Sequence, residues 1–231
     1  MPEQDNRYIP AHAESFRYPL SKFAARLKAP GSIKIVAIGS SSTAGEGDVV
    51  PYPYRLQTAL RGSYQERMID VLNRGIIGQE APQEFARMRQ DAVEENPVLV
   101  IWQVGTNAVW QKDGNVDKAA EAIASGLTLL TSEPMDVILM DLQYAPALLT
   151  DDKIDATRRM QSLIHAHAAT AKVNVFGRFD LMRNMLTQEM HSFDLLINPA
   201  DEKRLHQSDY STGRVVYELA AVIVDAASRI V

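Results

Sequence analysis

The stretch IKIVAIGSSSTAG, residues 33–45, decides the fold of this chain. It begins with an almost continuous apolar run of strand length, and glycine and hydroxyl residues follow at once. A short run that is apolar at nearly every position is typical of a strand covered on both faces, as in a parallel sheet. The stretch therefore predicts a buried parallel strand that ends in a polar turn.

Further runs of the same kind follow along the chain, and helical patterns separate them. The strand-like runs are 68–72, 98–102, 137–140 and 173–176. The helical patterns are 54–60, 82–93, 116–130, 154–171 and 211–231. This alternation predicts right-handed crossovers and an α/β fold with three layers, α/β/α. In such a fold the ligand crevice lies beyond the carboxyl ends of the strands, so we expect functional residues just after each strand.

Composition excludes several classes of protein. The chain has 231 residues, of which 46% are hydrophobic and 23% charged, as in globular domains. We expect an N-terminal extension over residues 1–30, with one short helix at 21–28, and a single domain over residues 31–231. Cysteine is absent, which excludes disulfides, thiolate zinc sites and a cysteine nucleophile. A formal charge of −5 without any run of Lys or Arg predicts no nucleic-acid partner.

The beginning of the chain carries no targeting signal as written. Residues 1–19 are polar and lack the apolar segment of a secretory signal. No stretch approaches the roughly 18 uninterrupted apolar residues that span a bilayer. We therefore expect a cytoplasmic protein without a membrane span, and the mature form of a secreted or periplasmic protein is the alternative.

The polar turn after the first strand has three interpretations. It is a serine-rich turn that caps a helix, a loop that binds phosphate, or a turn that presents a serine nucleophile. No Gly-Lys-Ser/Thr occurs, and Gly45-Glu46-Gly47 begins a dinucleotide pattern that Val50 breaks. The G-x-S-x-G elbow of α/β-hydrolases is not matched either, because residue 43 is Thr.

The same turn resembles block I of the SGNH (GDSL-type) hydrolases, Gly-Asp-Ser-Leu-Thr-x-Gly. Matching residues are Gly39, Ser41, Thr43 and Gly45, whereas Ser40 replaces the usual Asp. The resemblance covers about residues 32–230. It implies that Ser41 is the nucleophile and that the fold is a flavodoxin-like sheet of five parallel strands in the order 2-1-3-4-5.

Two further strand ends resemble the family's oxyanion blocks. Asn73 and Gly78 fit the pattern Asn-x-x-x-x-Gly, which implies that the Gly78 N–H is an oxyanion donor. Gly105 and Asn107 fit Gly-x-Asn, which implies that the Asn107 side chain is a second donor, although Ala108 replaces the Asp that usually follows. A tight turn at the glycine and a capping Asn are the structural alternatives.

His206 is the predicted general base, because it directly precedes the last helix and its order after Ser and Asn fits the family's block V. His165 and His167 lie about 200° apart around a predicted helix and cannot chelate one metal from one face. His191 lies in an irregular stretch and is not excluded.

The acid that orients the base is less well defined by the sequence. The family's spacing, Asp-x-x-His, puts Lys203 at the acid position. We expect Asp201 to take this role, with Glu202 as an alternative. A Ser–His dyad, with a backbone carbonyl holding the ring, is the other possibility.

Together these patterns predict a serine esterase for short to medium acyl or acetyl esters of small molecules. The implied mechanism is a Ser–His acyl-enzyme reaction with no metal and no organic cofactor. Apolar residues after the third and fourth strands are expected to wall an acyl pocket, among them Val109, Trp110, Tyr144 and Leu148. A non-catalytic small-molecule-binding module on the same fold is the alternative, and a dinucleotide-binding oxidoreductase is a weaker one.

Overall fold

The computed structural model of the protein describes residues 11–230, and its centre is a parallel sheet of five strands. The strands are β1 (Ile33–Gly39), β2 (Ile69–Gly75), β3 (Leu99–Gln103), β4 (Asp136–Met140) and β5 (Asn174–Phe176). Their order in the sheet is β2-β1-β3-β4-β5, so the predicted fold class and strand order are confirmed. Because the strands are parallel, their last residues lie along one side of the sheet, which we call the carboxyl edge.

Helices connect the strands within residues 11–230. They are α1 (Ser21–Lys28), α2 (Ser41–Ala44), α3 (Tyr52–Ser63), α4 (Ala81–Met88), α5 (Thr106–Trp110), α6 (Val116–Thr131), α7 (Ile154–Ala171), α8 (Arg178–Thr187), α9 (Phe193–Leu196) and α10 (Asp209–Ser228). A π-helical turn, Arg89–Val93, continues α4, and a 3₁₀ turn, Pro146–Leu148, follows β4. None of the helices in this part of the chain is long and apolar enough to cross a membrane.

The sheet is buried on both faces, which explains the nearly continuous apolar strands. In β1, Ile33 and Ile35 enter a core that they share with α1, α3 and α10. Val36 and Ile38 enter a second core, shared with α4, α6 and α7. All four side chains are fully buried. The alternation of β1 between two cores is the physical basis of the three-layer arrangement.

Two predicted helices, 21–28 and 154–171, match the structure in both bounds, whereas α8 was not predicted. Its apolar residues Leu181, Met182 and Met185 are buried, but the helix begins with Arg178, a charged residue that is only 1% exposed. A buried charge at the start hides the apolar periodicity on which the sequence analysis depends.

Residues 11–30, the described part of the predicted extension, pack on the face of the sheet that α10 covers. Phe16 is buried in the same core as β1. The Ala13 N–H donates to the Glu218 carboxylate at 3.0 Å, although the two residues are 205 positions apart. Residues 1–10 lie outside the described residues, and the predicted boundary at residue 30 stays a prediction.

A testable consequence concerns Gly126, where α6 approaches the sheet. A Cβ at this position would lie 2.4 Å from Cζ3 of Trp102, which is fully buried in β3. We expect Gly126→Ala to lower the free energy of unfolding by about 1–3 kcal/mol, because the enclosed ring has no space to retreat.

The matched control is Gly62→Ala in α3, where nothing lies within 4 Å of the added Cβ. Alanine should stabilise this helix by about 0.5–1 kcal/mol. Urea unfolding of both variants measures the two effects, and a change of the same sign at both positions would contradict the packing described here.

Candidate active site

Ser41 lies two positions after the end of β1, at the carboxyl edge, and is the first residue of α2. Gln103, at the end of β3, fixes the turn that precedes Ser41. Its Oε1 accepts hydrogen bonds from the N–H and the hydroxyl of Ser40, both at 3.2 Å. Gly39 permits this tight turn, since a Cβ there would lie 2.4 Å from Oγ1 of Thr43. Neighbouring strand ends therefore determine where Ser41 lies.

His206 faces Ser41 from the loop before α10. Its Nε2 lies 3.0 Å from the Ser41 Oγ, although the residues are 165 positions apart in the chain. Both residues are buried, at 7% exposure for Ser41 and 9% for His206. The backbone carbonyl of His206 accepts a hydrogen bond from the Asn198 N–H at 2.9 Å, which anchors the loop. The hydroxyl and the imidazole are thus within direct proton-transfer distance.

Asp201 completes a line of three side chains. Its Oδ2 lies 3.0 Å from Nδ1 of His206. The chain turns back between the two residues: the Arg204 N–H donates to the Asp201 carbonyl at 2.9 Å, and Arg204 has a left-handed φ of 52°. This turn brings a carboxylate to the ring from five positions upstream, whereas Glu202 is exposed to solvent.

The same carboxylate oxygen also binds the backbone of the loop that it orients. Oδ2 of Asp201 accepts from the Leu205 N–H at 2.8 Å and from the His206 N–H at 2.7 Å. Burial raises the pKa of Asp201, but these two N–H donors and the nearby His206 ring outweigh burial and hold the pKa below its ordinary value. Asp201 is therefore an anion at neutral pH.

The two predicted oxyanion donors lie on neighbouring segments, Gly78 in the loop after β2 and Asn107 in α5. Gly78 has a φ of 79°, and a Cβ there would meet nothing within 4 Å. The side-chain amide of Asn107, at the start of α5, donates to the Gln79 carbonyl at 2.8 Å, and that of Gln111 donates to the Gly78 carbonyl at 2.8 Å. The loop that follows β2 is thus held against α5.

A small cavity of about 30 Å³ lies beside Ser41, and neither Gly78 nor Asn107 lines it. Its walls come from α2 and the turn after it, from α3, α8 and α10, and from the His206 loop; they include Ser41, Glu46, Tyr52, Arg178, His206 and Val215.

The apolar residues expected to wall an acyl pocket lie elsewhere. Val109 and Trp110 line a separate cavity of about 400 Å³ together with Lys153. Tyr144 packs against Phe179, with 5.0 Å between the ring centroids.

Arg178 is a residue of this region that the sequence analysis missed. It donates to the Asp141 carbonyl at 2.8 Å, to Gln143 Oε1 at 2.8 Å and to Gln207 Oε1 at 3.3 Å. Gln143 in turn donates to the Leu205 carbonyl at 3.2 Å, so Arg178 supports the chain on both sides of His206. Burial lowers its pKa to about 10, which leaves the guanidinium charged at neutral pH. The position of Arg178 just after β5 is the sequence feature that could have indicated a role at the carboxyl edge.

Glu46 is the second residue that was missed as a member of the site. Its Oε2 lies 2.7 Å from Nε2 of His206, the same nitrogen that faces Ser41. Sequence reasoning considered Glu46 only within the Gly45-Glu46-Gly47 pattern. Its place immediately after the last glycine of the Ser41 motif could have indicated a role beside the nucleophile.

Comparison with known proteins identifies the family of this chain. A model of the family described as the Non-GDSL lipase-like family matches residues 8–229. The chain belongs to the Non-GDSL lipase-like family. The predicted resemblance to SGNH-type hydrolases is thereby confirmed. The family's description suits the turn after β1, which reads Gly39-Ser40-Ser41-Ser42 and lacks the Asp and Leu of a GDSL motif.

Solved structures share the fold of this family member. A catalytic mutant of Axe2, an acetylxylan esterase from Geobacillus stearothermophilus, has 20% sequence identity and a TM-score of 0.70, over 86% of this chain and 95% of that chain. LAE5, an alpha/beta hydrolase enzyme from the metagenome of Lake Arreo, Spain, has 19% identity and a TM-score of 0.67, over 87% and 96%. The Axe2 structures include catalytic mutants in which alanine replaces an aspartate, a serine or a histidine. No curated protein matches the sequence.

The other histidines with a described contact lie away from Ser41 in this family member. His165 is exposed, and the Asp141 carboxylate, 3.7 Å from its Nε2, raises its pKa. His191 is within 2.9 Å of the Tyr210 hydroxyl. Neither of these imidazoles contacts Ser41.

The Gly45-Glu46-Gly47 segment does not open a helix, as a dinucleotide fingerprint requires. Non-helical residues follow it until α3 begins at Tyr52. A Cβ on Gly45 would lie 2.3 Å from Cγ of Pro51, so this glycine allows the chain to turn tightly between α2 and α3.

A prediction follows from the bonds of Asp201. Asp201→Asn should slow the reaction of Ser41 with a fluorophosphonate by on the order of 10³-fold, because the variant side chain no longer stabilises the imidazolium. Glu202→Gln is the matched control, since Glu202 is an exposed carboxylate one position away.

Labelling rates are measured by mass spectrometry, and thermal unfolding verifies that both variants are folded. A folded Asp201→Asn variant that labels at the wild-type rate would contradict a role for this carboxylate and would favour the Ser–His dyad.

Proposed function

We propose that the protein is a serine hydrolase that cleaves carboxylic esters of short to medium acyl groups, acetyl esters included. The contacts from Ser41 through His206 to Asp201, 3.0 Å at each step, are the observation that carries the proposal. Membership of a lipase-like family supports ester hydrolysis in general. The catalytic mutants of the acetylxylan esterase replace the same three residue types, which is consistent with these roles.

The first step is acylation of Ser41. Nε2 of His206 removes the hydroxyl proton while Oγ attacks the carbonyl carbon of the ester. The anionic Asp201 stabilises the imidazolium that forms and keeps the Nδ1–H directed at itself. The imidazolium then gives its proton to the leaving alcohol, and the acyl group stays on Ser41.

The second step is hydrolysis of the acyl-enzyme. His206 removes a proton from a water molecule, the water attacks the acyl carbon, and Ser41 leaves with the proton from the imidazolium. Acid and base chemistry are both supplied by one histidine, so the cycle returns the enzyme to its starting state without a metal or an organic cofactor.

Negative charge develops on the carbonyl oxygen in both steps, and N–H donors are needed to stabilise it. The backbone N–H groups of Ser41 and Gly78 and the side-chain amide of Asn107 are the proposed donors. One Asn107 N–H already donates to Gln79, which leaves the second N–H of that amide for the substrate.

The cavity beside Ser41 supports the short end of the acyl range, because its volume of about 30 Å³ has room for the few atoms of an acetyl group. The complete Ser–His–Asp line also favours an enzyme over the binding-only alternative. A protein that only binds a ligand has no need of a buried carboxylate aimed at the ring that faces a serine.

The proposal is tested by replacing the nucleophile. Ser41→Ala should reduce hydrolysis of p-nitrophenyl acetate at least about 10⁴-fold and abolish labelling by a fluorophosphonate. Ser42→Ala, the adjacent serine of α2, should keep most of the activity and all of the labelling.

The same assay with p-nitrophenyl octanoate compares acyl lengths, and acetate should have the higher kcat/KM. Ester hydrolysis by Ser41→Ala at the wild-type rate would exclude the mechanism, and absence of labelling in the wild type would favour the binding module.

A separate prediction tests the oxyanion donor. Asn107→Ala should lower kcat about 10²–10³-fold with a small change in KM, because the lost hydrogen bond matters most in the transition state. Gln111→Ala is the matched control: it removes the other side-chain bond to the same loop, that to the Gly78 carbonyl, but no proposed donor. An equal loss of kcat in both variants would mean that Asn107 acts only by holding the loop.

A further inference from the structure

The cavity beside Ser41 has polar groups in its wall that the proposed reaction does not use. Gln207, the residue after His206, is one of them. Its Oε1 accepts a hydrogen bond from Nη1 of Arg178 at 3.3 Å, which fixes the orientation of the amide. Its Nε2 is buried and has no hydrogen-bond partner within residues 11–230. Because a buried N–H donor without a partner costs free energy, this wall is suited to a ligand atom that accepts hydrogen bonds.

Thr212 adds a hydroxyl group to the same wall. It lies in the first turn of α10, is 7% exposed and lines the cavity. Its backbone N–H donates to the Ser208 carbonyl at 3.0 Å, but its hydroxyl takes part in no hydrogen bond within residues 11–230. Helical threonines such as Thr128 and Thr170 instead donate to the carbonyl four positions earlier. The Thr212 hydroxyl therefore keeps its hydrogen-bonding capacity for a group in the cavity.

Arg178 brings one more donor to the cavity that it lines. A guanidinium has five N–H groups. Two of them donate to the Asp141 carbonyl at 3.1 and 2.8 Å, one to Gln143 Oε1 at 2.8 Å and one to Gln207 Oε1. The fifth, on Nη1, has no partner within the described part of the chain. Three elements, the His206 loop, α8 and α10, thus each supply a donor to one small space.

The cavity wall also includes an acceptor, the carboxylate of Glu46. Its Oε2 lies 2.7 Å from Nε2 of His206, so it is close to the proposed chemistry. Because charged groups of both signs line the cavity, a neutral group that both accepts and donates suits it better than an anion or a cation. A hydroxyl is a small group of this kind. The volume of about 30 Å³ limits such a hydroxyl to a position one or two bonds from the acyl carbonyl.

We propose that this cavity is the subsite for a hydroxyl group on the α carbon of the acyl group, so that the enzyme acts on esters of 2-hydroxy acids. Thr212 is then a specificity-determining residue. The substrate hydroxyl accepts hydrogen bonds from Thr212 and Gln207 and donates to Glu46. This inference rests on the proposed function, because it names the acyl group that Ser41 takes from the ester and passes to water.

The first test compares two acyl groups of nearly the same shape. As phenyl esters, the glycolyl group ends in a hydroxyl where the propionyl group ends in a methyl. A site built for a hydroxyl rejects the analogue that lacks it, because its own polar groups are then left unpaired. We expect kcat/KM of the wild type to favour phenyl glycolate at least about tenfold, after each value is divided by the rate constant of hydroxide-catalysed hydrolysis of that ester.

This division corrects for the intrinsic reactivity of the two esters. A corrected ratio near one is the result expected if the cavity holds only a water molecule, and it would overturn the proposal.

The second test removes the hydroxyl from the wall. Thr212→Val keeps the shape of the side chain and should lower the glycolate-to-propionate ratio about tenfold relative to the wild type. Thr212→Ser is the matched control, because it retains the hydroxyl, and it should keep the wild-type ratio. Intrinsic reactivity cancels in this comparison, and thermal unfolding verifies that both variants are folded. A folded Thr212→Val variant with the wild-type ratio would exclude Thr212 as a specificity-determining residue.

Phenyl acetate separates this proposal from the proposed function. Its acyl group has no hydroxyl, so Thr212→Val should hydrolyse it at close to the wild-type rate, and a fluorophosphonate should still label Ser41. If the wild type hydrolyses none of the three esters, the proposed function fails and the hydroxyl subsite fails with it. Hydrolysis of all three without a preference for glycolate would exclude the hydroxyl subsite alone.

Discussion

One carboxylate oxygen, Oδ2 of Asp201, accepts hydrogen bonds from the backbone N–H groups of Leu205 and His206 and lies 3.0 Å from the imidazole Nδ1. These contacts fix the loop and the ring together, so the position of the base does not depend on side-chain packing alone. The proposed chemistry at Ser41 depends on this turn, because the nucleophile is useful only if Nε2 points at its hydroxyl. The hydrogen bonds that position the loop also keep Asp201 ionised, so the same contacts fix the position of His206 and the negative charge of Asp201.

The parallel sheet supplies the other half of the site. It places the turn after β1 beside the ends of β2 and β3, and the packing between them is tight enough that two glycines are required. A Cβ on Gly75 would lie 2.2 Å from the Ala44 backbone nitrogen, and one on Gly39 would lie 2.4 Å from the Thr43 hydroxyl. Such close approach leaves Ser41 little freedom, which is what a preorganised nucleophile needs.

The sequence predicted the sheet well because each strand is buried on both faces and therefore reads as an apolar run. It also predicted that Ser41 and His206 would lie close together, from the family resemblance and from the rule that positions after parallel strands meet at one edge; the structure has them 3.0 Å apart, and their chemical roles stay predictions. The sequence favoured Asp201 as the acid but left Glu202 and a Ser–His dyad open. The contact of Asp201 with the ring depends on the left-handed conformation of Arg204, which no sequence pattern indicates.

Arg178 and Glu46 escaped prediction for different physical reasons. A charged residue normally indicates a solvated surface, and only the three-dimensional structure shows that Arg178 is enclosed by carbonyl and amide oxygens that compensate its burial. Glu46 contacts His206 through a loop whose path depends on two glycines with positive φ angles. The periodicity of apolar residues and their secondary-structure propensities do not predict contacts that loops make between residues remote in the chain.

The packing of residues 11–30 against α10 has a consequence for how this molecule is made. On the ribosome, the segment that includes Phe16 emerges long before Glu218, the residue that accepts the hydrogen bond of Ala13, 205 positions later. Until α10 has been synthesised, the hydrophobic core in which Phe16 is buried is incomplete. Closing so long a loop adds entropy cost and slows folding. The early apolar segment is therefore made before the helix that it packs against, and it can dock only after α10 has been synthesised.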